Sequence, residues 1–127
     1  MNKTFATVIK CMDGRTHIPV INYVVSKYGV DFVDLITEPG PNKILAEGVD
    51  LATIQSIRKR AEISIHKHRT KIVAVVGHHD CAGNPASDED QRVHLLKAAQ
   101  TIKTWDLPVE SVVALWVCND SDVHPLA

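Results

Sequence analysis

KIVAVVGHHDCAGN, residues 71–84, is the stretch on which the reading of the fold turns. Lys71 to Val76 is almost wholly apolar, the mark of a strand buried on both faces, as in a parallel sheet covered by helices. Where that strand should stop stand His78 and, three residues on, Cys81. VIKCMDGRTH, residues 8–17, repeats the arrangement: an apolar run ends in Cys11, and Asp13 and Arg15 follow.

Outward from these runs the periodicity alternates. Thr4 to Ile9 reads as a first strand. Ile18, Ile21, Val24, Val25 and Tyr28 recur at helical spacing, with Pro19 in the first turn, where a missing N–H costs nothing, and Gly29 at the end. Asp31 to Thr37 is a second strand, and Glu38 to Asn42 (EPGPN) cannot continue it and predicts a turn. Leu51, Ile54, Ile57, Ala61 and Ile65 line one face of a long helix capped by Asp50. Asp88 to Thr104 predicts another helix, capped by Ser87, with Val93, Leu96, Ala99 and Ile102 inward. Ser111 to Val117 is a fourth strand. The order βαβαβαβ predicts the α/β class: a single domain over residues 1–127, with a parallel sheet of about four strands. With the first helix on one face and the second on the other, right-handed crossovers give strand order 2-1-3-4. The chain reverses direction between strands 1 and 3, and open α/β sheets bind ligands at such a crevice, beyond the carboxyl ends of the strands.

Composition excludes several classes. The 127 residues suffice for one core without staples. Lys and Arg number 14 against 15 Asp and Glu, so no basic excess exists to neutralise nucleic-acid phosphates. No apolar run approaches the ~20 residues of a membrane span, and residues 1–10 lack the apolar core of a signal peptide. A cytoplasmic location is expected, where the three cysteines stay reduced. Cys and His together in such a setting lean towards metal or catalysis.

The predicted topology makes strands 1 and 3 neighbours and so brings Cys11 to the same crevice as His78 and Cys81. Two thiolates and an imidazole suit zinc, whereas magnesium and calcium prefer oxygen. Gly77 and Gly83 are expected to let the backbone turn tightly around the ion. Asp13 has two options. It can be a fourth metal ligand and close the site, or it can pair with Arg15 through two parallel hydrogen bonds and leave a position open. An ordinary loop salt bridge is the simpler alternative. Cys11 taken alone reads rather as a small buried hydrophobe.

CMDGR and HHDC resemble the Cys-x-Asp-x-Arg and His-x-x-Cys motifs of the β-class carbonic anhydrases, in that family's order and after apolar strands, and the resemblance extends from about Thr4 to Val117. It implies zinc held by Cys11, His78 and Cys81, with Asp13 and Arg15 as the catalytic dyad. It further implies reversible hydration of carbon dioxide to bicarbonate by a zinc-bound hydroxide, in a homodimer or higher homo-oligomer with the site near the subunit interface. Some relatives hydrolyse carbonyl sulfide or carbon disulfide instead. The chain departs from the family in starting at strand 1, where members carry N-terminal helices. It also has Glu38-Pro39-Gly40-Pro41-Asn42 where members have Arg-Asn-Ala-Gly-Asn.

Two thiolates donate more charge to zinc than three imidazoles, so activity is expected to rise on the alkaline side. His17 and His79 flank the motifs as candidate proton shuttles, and Asp80 either orients an imidazole or caps the next turn. Cys118 is expected to be a structural thiol, His66 and His68 to complement the end of the long helix, and His94 to be solvated. His124 falls in a short tail. Two other readings share these residues: a non-catalytic zinc protein closed by Asp13, and a redox protein using Cys11 and Cys81 as a thiol pair.

Overall fold

A computed structural model describes residues 3–126 of the chain. Its elements are β1 (Phe5–Lys10), a 3-10 turn (Gly14–Thr16), α1 (His17–Tyr28), β2 (Phe32–Thr37), α2 (Pro41–Glu47), α3 (Leu51–His68), β3 (Ile72–His78), α4 (Asp88–Lys103), β4 (Ser111–Cys118) and β5 (Asp122–Leu126). The sheet runs β2-β1-β3-β4-β5. The first four strands are parallel and β5 is antiparallel to β4. The predicted order of the four parallel strands is thus present. The sheet is one strand larger than expected, because the tail holding His124 returns along β4.

Period-two alternation sorts the core into two layers. Val8, Ala74, Val76, Leu115 and Val117 face Val20 and Val24 of α1. Ile9, Val73, Val75, Ala114 and Trp116 face Leu45, Ile57, Ala61, Ile65, Leu95 and Ile102 of α2, α3 and α4. Placing α1 alone on one face and α3 on the other brings β1 beside β3. Thr7, buried in β1, bonds Ser64 and Thr70 at 2.7 Å each, and Ser64 donates to Asp34 of β2 at 2.7 Å, so α3 is pinned across β1 and β2.

The caps follow the sequence. Gly29 ends α1 in the left-handed region, Asp50 accepts from the Thr53 amide, and Ser87 accepts from the Asp90 amide. Three expectations need correction. The EPGPN turn is only the entrance to a helix: Gly40 takes φ 59° and Pro41 opens α2, its fixed φ and missing N–H suiting the first helical position. In α4 the inward residues are Gln91, Leu95, Ala98, Ala99 and Ile102, while Val93 and Leu96 are exposed. In α3, Leu51 is exposed as well.

Candidate metal centre

Cys11 follows β1 directly, His78 is the last residue of β3, and Cys81 lies in the loop beyond it. The parallel register Thr7–Val73 to Ile9–Val75 sets the two strand ends side by side. Though Cys11 is far from the other two in sequence, the ligating atoms of Cys11, His78 and Cys81 come within 4.8 Å of one another, and all three residues are buried. They form the one such Cys/His/carboxylate group among the described residues, and Asp13 is outside it. Cys118, half-buried, packs against the core instead.

The donor atoms are oriented for an ion. His78 Nδ1 donates to the His79 carbonyl at 2.8 Å, which leaves the Nε2 lone pair as the free ligand. That Nε2 is buried with no hydrogen-bond partner; in so enclosed a place an orphaned acceptor is expensive unless something binds it. The two sulfurs lie 3.8 Å apart. The Cys81 thiol favours the Cys11 thiolate most, with His78 and the backbone amides of Gly40 and Asp13 adding to it, and together they lower its pKa against the opposing effect of burial. Cys81, holding the shared proton against that thiolate and buried itself, moves up. Burial opposes charging of His78, but the Cys11 sulfur, the His79 carbonyl and Asp13 outweigh it and raise its pKa. One proton shared between two sulfurs beside a lone pair is a donor set that a divalent ion, by displacing that proton, would occupy.

Asp13 is engaged by Arg15 rather than directed at the sulfurs. The guanidinium donates from Nε to Oδ1 at 3.0 Å and from Nη2 to Oδ2 at 2.6 Å. These bonds hold the Asp13 carboxyl well below the usual carboxylate range, and they raise Arg15 in turn. Asp13 also caps the 3-10 turn by accepting from the Arg15 amide. Of the two options for Asp13, the structure has the pair with Arg15. Asp80 neither orients the His78 ring nor caps a turn. It takes φ 58° and meets Arg15 through both its carbonyl and its carboxylate.

The two glycines act differently from expectation. Gly77 lies inside β3, where a Cβ would stand 2.8 Å from Asn42 Nδ2 and 3.2 Å from the Trp116 ring. Gly83 meets the loop after β2: a Cβ there would stand 2.5 Å from the Pro39 carbonyl carbon, and one on Gly40 would stand 2.6 Å from the Gly83 carbonyl carbon. Gly77 makes room for the Asn42 amide and the Trp116 ring, and Gly83 serves close backbone approach to Gly40. Through it the post-β2 loop delivers the Gly40 amide to the Cys11 sulfur.

Sequence reasoning missed Gly40, Asn42 and Lys10. Asn42, buried, donates to the Val76 carbonyl at 3.2 Å and props the end of β3. Lys10 has no exposed surface; its Nζ donates to the Cys11 carbonyl at 2.7 Å and meets His17 Nδ1 at 2.7 Å. A lysine inside an apolar strand, one residue before a ligand-type cysteine, was the available signal. His17 is thereby tied to Lys10, and His79, more exposed, pairs with Asp88 at 2.9 Å. His94 is not freely solvated, since it pairs with buried Asn84 at 3.0 Å. His68 does sit in the last turn of α3, paired with Asp34 at 2.6 Å and stacked on Phe5. A cavity of about 750 Å³ opens beside it at the opposite pole of the sheet. Its Lys67, Arg69 and Lys71 stand near the negative ends of α1 and α3, and the cavity lacks a group of metal-ligating atoms.

Comparisons with known proteins agree with this fold. The crystal structure of a carbonic anhydrase from Streptococcus mutans matches with a TM-score of 0.64 at 18% identity, over 99% of this chain and 83% of that one. The β-carbonic anhydrase CafA of Aspergillus fumigatus matches with a TM-score of 0.59 at 14% identity, over 98% and 76%. A carbonic anhydrase from Glaciozyma antarctica gives 0.59 at 14%, over 96% and 81%. At these identities the likeness is one of fold. No curated protein matches the sequence. A family model described as "Putative carbonic anhydrase" matches residues 1–127. With that match over its whole length, the chain belongs to this carbonic anhydrase family, and its fold is that of the β-carbonic anhydrases.

Proposed function

We propose that the chain is a zinc-dependent carbonic anhydrase, hydrating carbon dioxide reversibly to bicarbonate with Cys11, His78 and Cys81 as metal ligands. The observation that carries the reading is the convergence of two sulfurs and an orphaned imidazole nitrogen at the end of β1 and β3. Soft sulfur with nitrogen suits zinc over the oxygen-seeking cations. Zinc held there would supply Lewis acidity sufficient to ionise a coordinated water near neutral pH.

The remaining residues act around that position. Arg15 holds the Asp13 carboxylate by two parallel hydrogen bonds, which supports an open site over one closed by Asp13. Asp13, ionised at every working pH, is an acceptor at the mouth and can orient a hydroxyl proton there. His79 is the more solvent-facing of the two candidate shuttles and fits proton exit better than His17, which is committed to Lys10. A second copy of the chain would cover exposed Met12 and Ile18 beside the dyad, in keeping with a homodimer or larger assembly. No helix among the described residues is long and apolar enough to cross a membrane. A reducing, cytoplasmic setting fits the free cysteines.

Stopped-flow carbon dioxide hydration by the zinc-loaded chain tests the proposal. Catalysis is expected in the wild type and is expected to vanish with metal binding in Cys11→Ser. Turnover of carbonyl sulfide or carbon disulfide with none of carbon dioxide would reassign the substrate. Stoichiometric zinc with no turnover of any of the three would leave a non-catalytic zinc protein.

A further inference from the structure

The Arg15 guanidinium spends only part of its donor set on Asp13. Nε and one N–H of Nη2 account for the bidentate pair. The remaining donors turn the other way. Nη2 also donates to the Asp80 carbonyl at 3.2 Å, Nη1 lies 3.5 Å from Asp80 Oδ2, and Nη1 lies 4.0 Å from Asp120 Oδ1. Asp80 stands between His78 and Cys81, and Asp120 stands in the turn between β4 and β5. One cation thus ties together the segments that follow β1, β3 and β4.

From this division of donors we infer that Asp80 and Asp120 are positioning residues, which fix Arg15 so that Asp13 stays paired and the metal position stays open. The inference rests on the zinc reading above. Its sign comes from the geometry. Had Asp80 and Asp120 shared Nε or the Asp13-facing side of Nη2, they would compete with Asp13 and release it. The Asp80 and Asp120 carboxylates face Nη1, a donor that Asp13 does not use, so they attract the guanidinium without competing for the Asp13 bonds. Asp80 reaches Arg15 twice because its backbone is left-handed, a conformation that Asp and Asn accept and that β-branched residues do not. An Asn at either position keeps the shape and removes the charge.

The test uses Asp80→Asn/Asp120→Asn with two readouts. The first is the heteronuclear NOE of the Arg15 Nε–H in the metal-free, nitrogen-15-labelled protein, assigned with Arg15→Lys. A fixed guanidinium in the wild type and a marked loss of NOE in the double variant are expected. The second is azide binding to the cobalt-loaded protein, followed in the visible spectrum, where azide reaches the metal only if Asp13 is away. A dissociation constant about 3-fold weaker in the double variant is expected, the size appropriate to exposed ion pairs. An Arg15 NOE equal in wild type and variant overturns the inference. So does an azide affinity unchanged or tightened once Arg15 has loosened. A wild type that takes up no cobalt would sink the zinc reading, and the Arg15 NOE would then decide the positioning role by itself.

Discussion

At Lys10 the first strand carries an ammonium into the interior, where its partners are a carbonyl and an imidazole and no carboxylate bonds it. Burial pushes its pKa down to about 8, against the pull of the Cys11 and Asp13 charges. An unfolded lysine titrates near ~10.4, so between these values the unfolded chain binds more protons. Stability of the metal-free protein should therefore rise as pH climbs from about 8 to about 10, by an amount of order 2–3 kcal/mol. Urea unfolding along that range, compared with Lys10→Met, isolates the effect from the thiols. The wild-type curve should gain on the variant's, and parallel curves would contradict it. The grouping of Cys11, His78 and Cys81 was legible at this scale, because thiols and an imidazole at the ends of two apolar runs point to one crevice. Gly40 and Asn42 were not legible, since their roles come from neighbours distant in sequence, whereas Lys10 serves the adjacent Cys11 carbonyl and nearby His17 and was overlooked. Nothing in EPGPN by itself says that its glycine faces another glycine after β3.

Among the elements, α3 shows what a well-patterned helix secures. Ile57, Ala61 and Ile65 are buried against β1 and β3 side chains in one layer, and Asp50 fixes the start. Ile57 is wholly enclosed, so Ile57→Ala should destabilise the fold by about 2–5 kcal/mol, through lost burial and the void left behind. Thermal or denaturant unfolding measures this, and a cost below ~1 kcal/mol would mean that the layer collapses to refill the space. Leu51→Ala, on an exposed first-turn residue, provides the contrast. The inward face of α4 was misread for a physical reason. Leu95-Leu96 and Ala98-Ala99 are doublets that offer two apolar stripes about 100° apart, and buried Gln91 hides the true one. The short strand β5 was missed because Pro125 and His124 spoil the apolar alternation. On an edge strand, proline is tolerated since one side needs no ladder bond.

For the whole molecule, the parallel order was readable because two rules suffice: alternating strands and helices give a parallel sheet, and right-handed crossovers set neighbours. That order places the ends of β1 and β3 together, and the candidate metal centre follows from the topology rather than from any single motif. The backbone contact between the post-β2 and post-β3 loops, and the Arg15 tie to the turn before β5, complete the site from outside those motifs. X-ray absorption at the zinc edge of the purified chain, loaded with one equivalent of metal, tests this convergence most directly. The predicted shell has two sulfurs at about 2.3 Å and nitrogen or oxygen at about 2.0–2.1 Å. A zinc shell with no sulfur, or failure to retain one zinc per chain, would contradict the account.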